Sequence, residues 1–300
     1  MAFIRPLQLV DEEGLIRLAF LAHAGITSLP KNREQLKGKL ERSCKAFISA
    51  QTAPSHELFL FGLEEEGQLI GVSGIWSLAP PEKLYTIQKE AVIVVQVREP
   101  ESEICALFLD PAYRKEGLGK LLSLSRFHFM RTFRKRFVNR VMAKMRGFIL
   151  PNNYSPFWSA FGSLYDATPF EQIAEQHPIV TSTQPVPLSM IAQEAREVMG
   201  RVHPNTEPAL AMLEREGFRK TNFFDLPDGG PILMADLKTL RTVQECVPLS
   251  SSHDGEAFLI SNGQKDFRAV VASIHQGILD PHTREQLQLG WEDVAWISTL

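Results

Sequence analysis

The spacing of apolar and polar positions predicts a mixed α/β chain. "FIRPLQL" reads as a short first strand. Asp11 then precedes a helix in which Leu15, Leu18, Ala19 and Ala22 form one stripe and Gly25 a stop. Residues 57–78, "ELFLFGLEEEGQLIGVSGIWSL", read as two strands joined by an acidic turn ending in Gly67. Further strands are expected at 91–97 ("AVIVVQV") and 102–110 ("SEICALFLD"), the second closed by Asp110-Pro111. A long helix starts near Gly117, with Leu118, Leu122, Phe129, Phe133 and Phe137 as its apolar stripe, and 140–150 is the strand after it. Residues 151–190 are rich in Pro, Ser and aromatics and show no clear period. Residues 187–202, "PLSMIAQEAREVMGRV", read as helical with Gly200 as the stop. Residues 205–218, "NTEPALAMLEREGF", read as a helix with Asn205 or Thr206 as N-cap, Pro208 in the first turn and Gly217 at the C-cap. A strand follows at 218–226. "LSSSHDG" (249–255) is the linker candidate, so the expected division is 1–248 and 249–300. The last segment looks β-rich and is too short to hold a core alone, so it is expected to dock on the main body.

Composition narrows the class. The 300 residues are 44% hydrophobic and 22% charged, ordinary values for a soluble globular chain. A net charge of −3 gives no global pull toward nucleic acid or anionic lipid. Locally, 126–146 holds eight Lys/Arg and no acid. Cys44, Cys105 and Cys246 form no C-x-x-C pair, which argues against a disulfide framework or zinc knuckle, and the eight histidines show no ligand spacing. No metal is expected. The N-terminus lacks a signal-peptide core, and no apolar run approaches the roughly 18 residues needed to span a bilayer. A cytoplasmic protein is expected.

"RKEGLGK" (114–120) is the sharpest local signal. Arg114 occupies the first glycine position of a Walker loop and Leu121 follows Lys120, so that motif fails; a dinucleotide fingerprint fails because Leu122 replaces its third glycine. What remains is R-x-x-G-x-G between an apolar strand and a helix. Gly117 and Gly119 allow N–H groups, including that of Leu118, to approach an anion at a helix N-terminus, with Arg114, Lys115 and Lys120 supplying charge. A plain glycine turn starting a helix is the competing reading.

Strand, R-x-x-G-x-G, helix and strand, followed later by "LEREGF" (213–218), resembles the GNAT acyl-CoA N-acyltransferase fold. There the loop holds the pyrophosphate of coenzyme A. The strings "FIRP", "GITSLP", "SEICALFLDPAYRKEGLGKLLSLSRFHFM", "MRG", "YSPFW", "VHPNTEPALAMLEREGF" and "DGGP" resemble a narrower group, the arginine N-succinyltransferase family with its arginine/ornithine subunits. That resemblance implies succinyl transfer from succinyl-CoA, a co-substrate and not a resident cofactor, to the α-amino group of L-arginine. It implies Leu107 as a succinyl-CoA contact and His203 as the proton donor, and it suggests a homo- or hetero-oligomer. Two stretches depart from the family, 77–102 by being shorter and 163–191 by wording, and acceptor recognition is expected there. Other acyl-CoA donors, other amine acceptors such as ornithine, and a CoA-binding subunit without turnover are the alternatives.

Acyl transfer from a thioester to an amine needs a neutral amine, a polarised carbonyl and a proton for the thiolate. A strand N–H among Leu107, Phe108 and Leu109 is expected to polarise the carbonyl. Cys105, inside "ICALFL", reads as a buried small hydrophobe and not a nucleophile. His203 precedes a helix N-terminus, where the dipole favours neutral imidazole, and its role as acid or base stays open. The basic stretch 126–146 reads as a solvated face, a contact for the CoA 3′-phosphate, or a nucleic-acid surface; with the excess confined to one stretch, no nucleic-acid partner is expected. Thr27, Ser28, Arg146 and Asp228 are candidate walls for the acceptor.

Overall fold

The computed structural model describes residues 1–22, 26, 28–96, 101–114, 117–151, 153–161, 170–173 and 184–300. In chain order the elements are β1 (Phe3–Pro6), α1 (Glu12–Leu21), α2 (Arg33–Ile48), β2 (Leu58–Glu65), β3 (Gln68–Trp76), β4 (Lys83–Gln88), β5 (Ala91–Gln96) and β6 (Ser102–Leu109). Then come α3 (Leu118–Thr132), β7 (Arg140–Lys144), α4 (Pro156–Ala160), α5 (Phe170–Ile173), β8 (Val186–Pro187), α6 (Gln193–Val198), α7 (Glu207–Glu216), β9 (Arg219–Phe224) and β10 (Pro231–Asp236). The chain ends with α8 (Arg241–Glu245), β11 (Val247–Pro248), β12 (Gly255–Ser261), β13 (Ala269–Ile274), α9 (Pro281–Gln286) and β14 (Trp296–Thr299).

The described strands join one mixed sheet in the order β11-β14-β12-β13-β1-β2-β3-β6-β7-β10-β9-β4-β5-β8. β6 and β7 run parallel, while their outer neighbours β3 and β10 pair with them antiparallel. A parallel pair cannot be closed by a hairpin, and α3 supplies the crossover. Side chains on β2 alternate between faces as a period of two requires. Phe59, Phe61 and Leu63 join the α3 side, and Leu58 and Leu60 pack with Leu15, Leu18, Leu36 and Leu40 of α1 and α2. Phe129 anchors the α3 side, with ring centroids 5.0–5.6 Å from Phe47, Phe59, Phe61 and Phe267.

The solvated-face reading of 126–146 holds for Arg131, Lys135 and Arg140, which are exposed, and fails for Arg126 and Arg136, which are buried. Residues 121–130 of α3 are all buried. The reason is long-range: β12 and β14 pack beside α3, and the His128 ring nitrogens lie 2.8 and 2.9 Å from the hydroxyls of Ser261 and Ser298. Arg126 is 1% exposed. Arg136 is buried over the Phe59 ring, 2.8 Å from Glu57. Helix α3 also stops at Thr132, so Phe133 is its C-cap and Phe137 lies beyond it.

Other expectations shift locally. The strand after α3 ends at Lys144; beyond it Gly147 bridges Val202, at a point where an added Cβ would lie 2.4 Å from the Asp228 carbonyl. The helix expected over 187–202 is confined to 193–198, since Val186-Pro187 pairs with β5 at the sheet edge. α2, β4 and β10 were not expected. The Leu36–Leu40 stripe of α2 is broken by Ser43 and interrupted by Gly38, although Asn32 caps it by accepting the Gln35 N–H at 3.0 Å. Gly25 lies outside the described residues. Gly217 closes α7 in the left-handed region, as expected.

Candidate active site

The parallel pairing of β6 with β7 runs from Ser102–Val141 through Ile104–Ala143 and stops, although β6 continues to Leu109. A bulge accompanies the separation. Against β3, Cys105 pairs with Gly74 and Phe108 with Val72, so Ala106 and Leu107 oppose the single Ser73. Ala106 adopts φ +53°, and its N–H donates to Ser28 Oγ at 2.9 Å. Past the bulge the Asp110 N–H returns to the Ile70 carbonyl at 2.9 Å. Alternation along the strand therefore turns Phe108 toward β3 and the N–H groups of Leu107 and Leu109 toward the gap.

The gap is a cleft of about 590 Å³ bounded by Leu107 and Leu109 of β6, Leu122 and Arg126 of α3, Lys144 of β7 and Met212 of α7. At one end stands the glycine loop. Asp110 fixes its start by pairing with Arg17 at 2.7 Å and by accepting the Ala112 N–H at 3.0 Å. Gly117 is the N-cap of α3 at φ +88°, a conformation costly for any residue with a Cβ. The first helical bond runs from the Leu121 N–H to the Gly117 carbonyl at 2.8 Å. The N–H groups of Leu118, Gly119 and Lys120 thus belong to the helix's open positive end. Arg114 and Gly119 line the cleft. A methyl group on Gly119 would meet nothing within 4 Å, so packing inside the protein does not demand glycine there. Lys120 is exposed, and Lys115 and Thr27 lie outside the described residues.

The deep end is charged. Lys144 Nζ lies 2.8 Å from Glu82 and 3.4 Å from Glu103, and Asp225 also lines the cleft. Three carboxylates, Glu82, Glu103 and Asp225, hold the Lys144 ammonium protonated despite its burial. Glu103 is the group that yields: burial, helped by Glu82 and Asp225 and opposed by Lys144, pushes its carboxyl up to about 7. Sequence reasoning missed Glu103, Lys144 and Arg126 as cleft residues. The available signal was an acid or base interrupting the apolar strands "SEICALFL" and "RVMAK".

Arg146 lines the cleft, its guanidinium pulled below the ordinary arginine range by burial against the opposing pull of Asp228. The Arg146 carbonyl accepts the His203 N–H at 2.9 Å, which holds His203 beside the cleft with its neighbours Asn205 and Thr206 on the lining. His203 Nδ1 accepts the Asn205 N–H at 3.1 Å, so in the neutral ring the proton sits on Nε2. Asp228 is buried, and its carboxylate accepts the N–H groups of Gly147 (2.7 Å) and Gly230 (2.9 Å). Those bonds brace the "DGGP" turn. Cys105 is buried with its thiol pushed up to about 12, so it carries no thiolate near neutral pH.

A family model described as arginine N-succinyltransferase beta subunit matches residues 2–85 and 82–242. The arginine N-succinyltransferases of Escherichia fergusonii and Shigella boydii are each 36% identical to this chain over 279 residues, covering 82% of it and 79% of the relative. Among solved structures, arginine/ornithine succinyltransferase subunit AI from Pseudomonas aeruginosa matches with a TM-score of 0.90 at 25% identity, covering 100% of this chain and 98% of that one. The fold is the GNAT acyltransferase fold, the protein is an acyltransferase, and the chain belongs to the arginine N-succinyltransferase family.

Proposed function

We propose that this protein transfers the succinyl group of succinyl-CoA to the α-amino group of L-arginine in the cytoplasm, where its three free thiols suit a reducing compartment. One observation carries the reading. A single cleft joins an anion-binding loop at one end to a charged pocket holding Glu103, Asp225 and Lys144 at the other. The loop suits the CoA pyrophosphate. Glu103 and Asp225 line the deep end, and Lys144 beside them is already paired with Glu82, so these two carboxyl groups are the ones placed to meet a cationic acceptor. Arg146 lines the cleft with its buried Nε unpartnered among the described residues, which supports a role in meeting the α-carboxylate. We read 1–248 as the transferase unit and 249–300 as a brace on α3.

Chemistry follows from the placements. The acceptor arrives as an ammonium, and Glu103, with its carboxyl raised to about 7, takes one proton. The amine attacks the thioester carbonyl, whose oxygen receives the Leu107 N–H in the gap. Collapse breaks the C–S bond, and the second proton still carried by the attacking nitrogen passes to the departing sulfur while the His203 Nε2–H donates a hydrogen bond to the developing thiolate. The amide and the thiol leave neutral, and the proton on Glu103 is released to solvent. No covalent enzyme intermediate is involved.

The test is thiol release on mixing protein, L-arginine and succinyl-CoA, followed with a chromogenic disulfide. Arginine-dependent release that falls by about 100-fold or more in His203→Ala is the expected result. CoA binding without release from either succinyl-CoA or acetyl-CoA would overturn the reading.

A further inference from the structure

Arg126 has no role in the chemistry above, yet its place in the molecule is unusual. It is 1% exposed, and no described carboxylate lies within ion-pair distance of it. Its fork is only partly used: Nε donates to the Ser123 carbonyl at 2.9 Å, one terminal nitrogen to Ser123 Oγ at 2.9 Å, and the other reaches the Cys105 carbonyl at 3.4 Å. All three acceptors are neutral. A guanidinium carries five N–H donors, so two remain beyond these contacts. Burial alone draws its pKa down to about 10, with only Cys105 opposing, so it stays charged at neutral pH. A buried, charged arginine without an acid costs several kcal/mol unless an anion completes it. The side chain lines the cleft.

Position indicates which anion. On α3 the cleft-lining residues are Gly119, Leu122 and Arg126, one helical face leading from the glycine loop inward. On β6, Arg126 meets the Cys105 carbonyl, one peptide unit deeper than the Leu107 N–H assigned to the thioester carbonyl, and its guanidinium stands a further 3.4 Å from that carbonyl. A succinyl group spans about 5 Å from its carbonyl carbon to its carboxylate oxygens, and a hydrogen bond adds a little under 3 Å. An acetyl group ends at its methyl and cannot reach. Arg146 is a weaker candidate for this anion, because it already lies in the field of Asp228.

We propose that Arg126 is the receptor for the distal carboxylate of the acyl donor and so selects dicarboxylic mono-acyl thioesters over uncharged ones of the same length. This rests on the succinyl-CoA reading above. Butyryl-CoA is the discriminating probe, since it replaces the distal carboxylate by a methyl group and keeps the chain length.

The experiment measures kcat/KM for succinyl-CoA and butyryl-CoA at saturating L-arginine in wild type, Arg126→Met and Arg126→Lys, with CoA affinity by calorimetry as the check on folding. In wild type succinyl-CoA is expected to be strongly preferred. Arg126→Met is expected to cut that preference by 10- to 100-fold, on the order of a lost charged hydrogen-bond pair, and Arg126→Lys to restore part of it. Should Arg126→Met fail to fold, Arg126→Lys alone decides, with a partial loss of preference expected. Variants that keep the full wild-type preference, or lose both donors equally, would overturn the assignment while leaving the succinyl-CoA reading intact. A wild type indifferent between the two donors would sink the succinyl-CoA reading itself, and Arg126 with it.

Discussion

β6 and β7 leave the same short parallel pairing, yet they bring different things to the cleft between them. Beyond its bulge β6 offers apolar side chains and outward-facing backbone N–H groups, and it runs directly into the glycine loop. β7 ends in Lys144, which sits among Glu82, Asp225 and Glu103 of the paired part of β6, and continues to Arg146 beside Asp228. The first side is built from backbone and suits a long ligand held by phosphates and shape. The second is built from buried charges brought together over long sequence separations, and it suits a small polar acceptor. Donor binding and acceptor chemistry are thus assigned to different parts of the molecule, which makes them separable by mutation.

The β7 side should break hardest. Lys144→Met leaves the buried Glu103 and Asp225 and the half-buried Glu82 without their shared cation, and a loss of about 3–5 kcal/mol in urea unfolding is expected. A loss under 1 kcal/mol would mean that the cluster is not held together by Lys144. His128 tests the brace over α3. Its folded-state pKa is lowered to about 3 by burial, from an ordinary 6.5. The unfolded chain therefore binds the extra proton first, so stability is full above pH 6.5 and is lost as pH falls toward 3. Relative to wild type, the deficit of His128→Gln at pH 7 should shrink by roughly 3 kcal/mol at pH 4 in paired denaturation curves. A constant deficit would remove His128 from the acid response. Gly117→Ala probes the loop on the β6 side: φ +88° costs a Cβ-bearing residue about 1–2 kcal/mol, and calorimetry should show CoA affinity weakened by several-fold.

The contrast between the two sides also explains what could be read in advance. The loop, the strand feeding it and the Gly217 cap depend on residues within a few positions of one another, where local rules act. The burial of His128 depends on strands more than 130 residues later in the chain, since its ring bonds Ser261 and Ser298 at separations of 133 and 170. The Lys144–Glu82 pair spans 62 residues, so no local pattern announces it. In the run of eight basic residues, nothing local separates Arg126 and Arg136, which are buried, from Arg131, Lys135 and Arg140, which are exposed. The bulge at Ala106 has no local signal either, since nothing about Cys-Ala-Leu demands a positive φ; Ser28, on a distant loop, secures it. Asp228 was a wall by motif and is a turn brace by geometry.

Separation of the two sides is tested most directly by initial-rate kinetics of Glu103→Gln across pH, with succinyl-CoA and L-arginine varied independently. In wild type, kcat/KM for arginine should fall about tenfold per pH unit below pH 7, because Glu103 must be ionised to accept the proton, and rise to a plateau above it. The variant should lose that acid limb and about 100-fold in kcat at pH 8, with KM for succinyl-CoA unchanged within about threefold. An acid limb that survives in the variant, or a KM for succinyl-CoA that rises while arginine turnover persists, would contradict the division of the cleft into a donor side and an acceptor side.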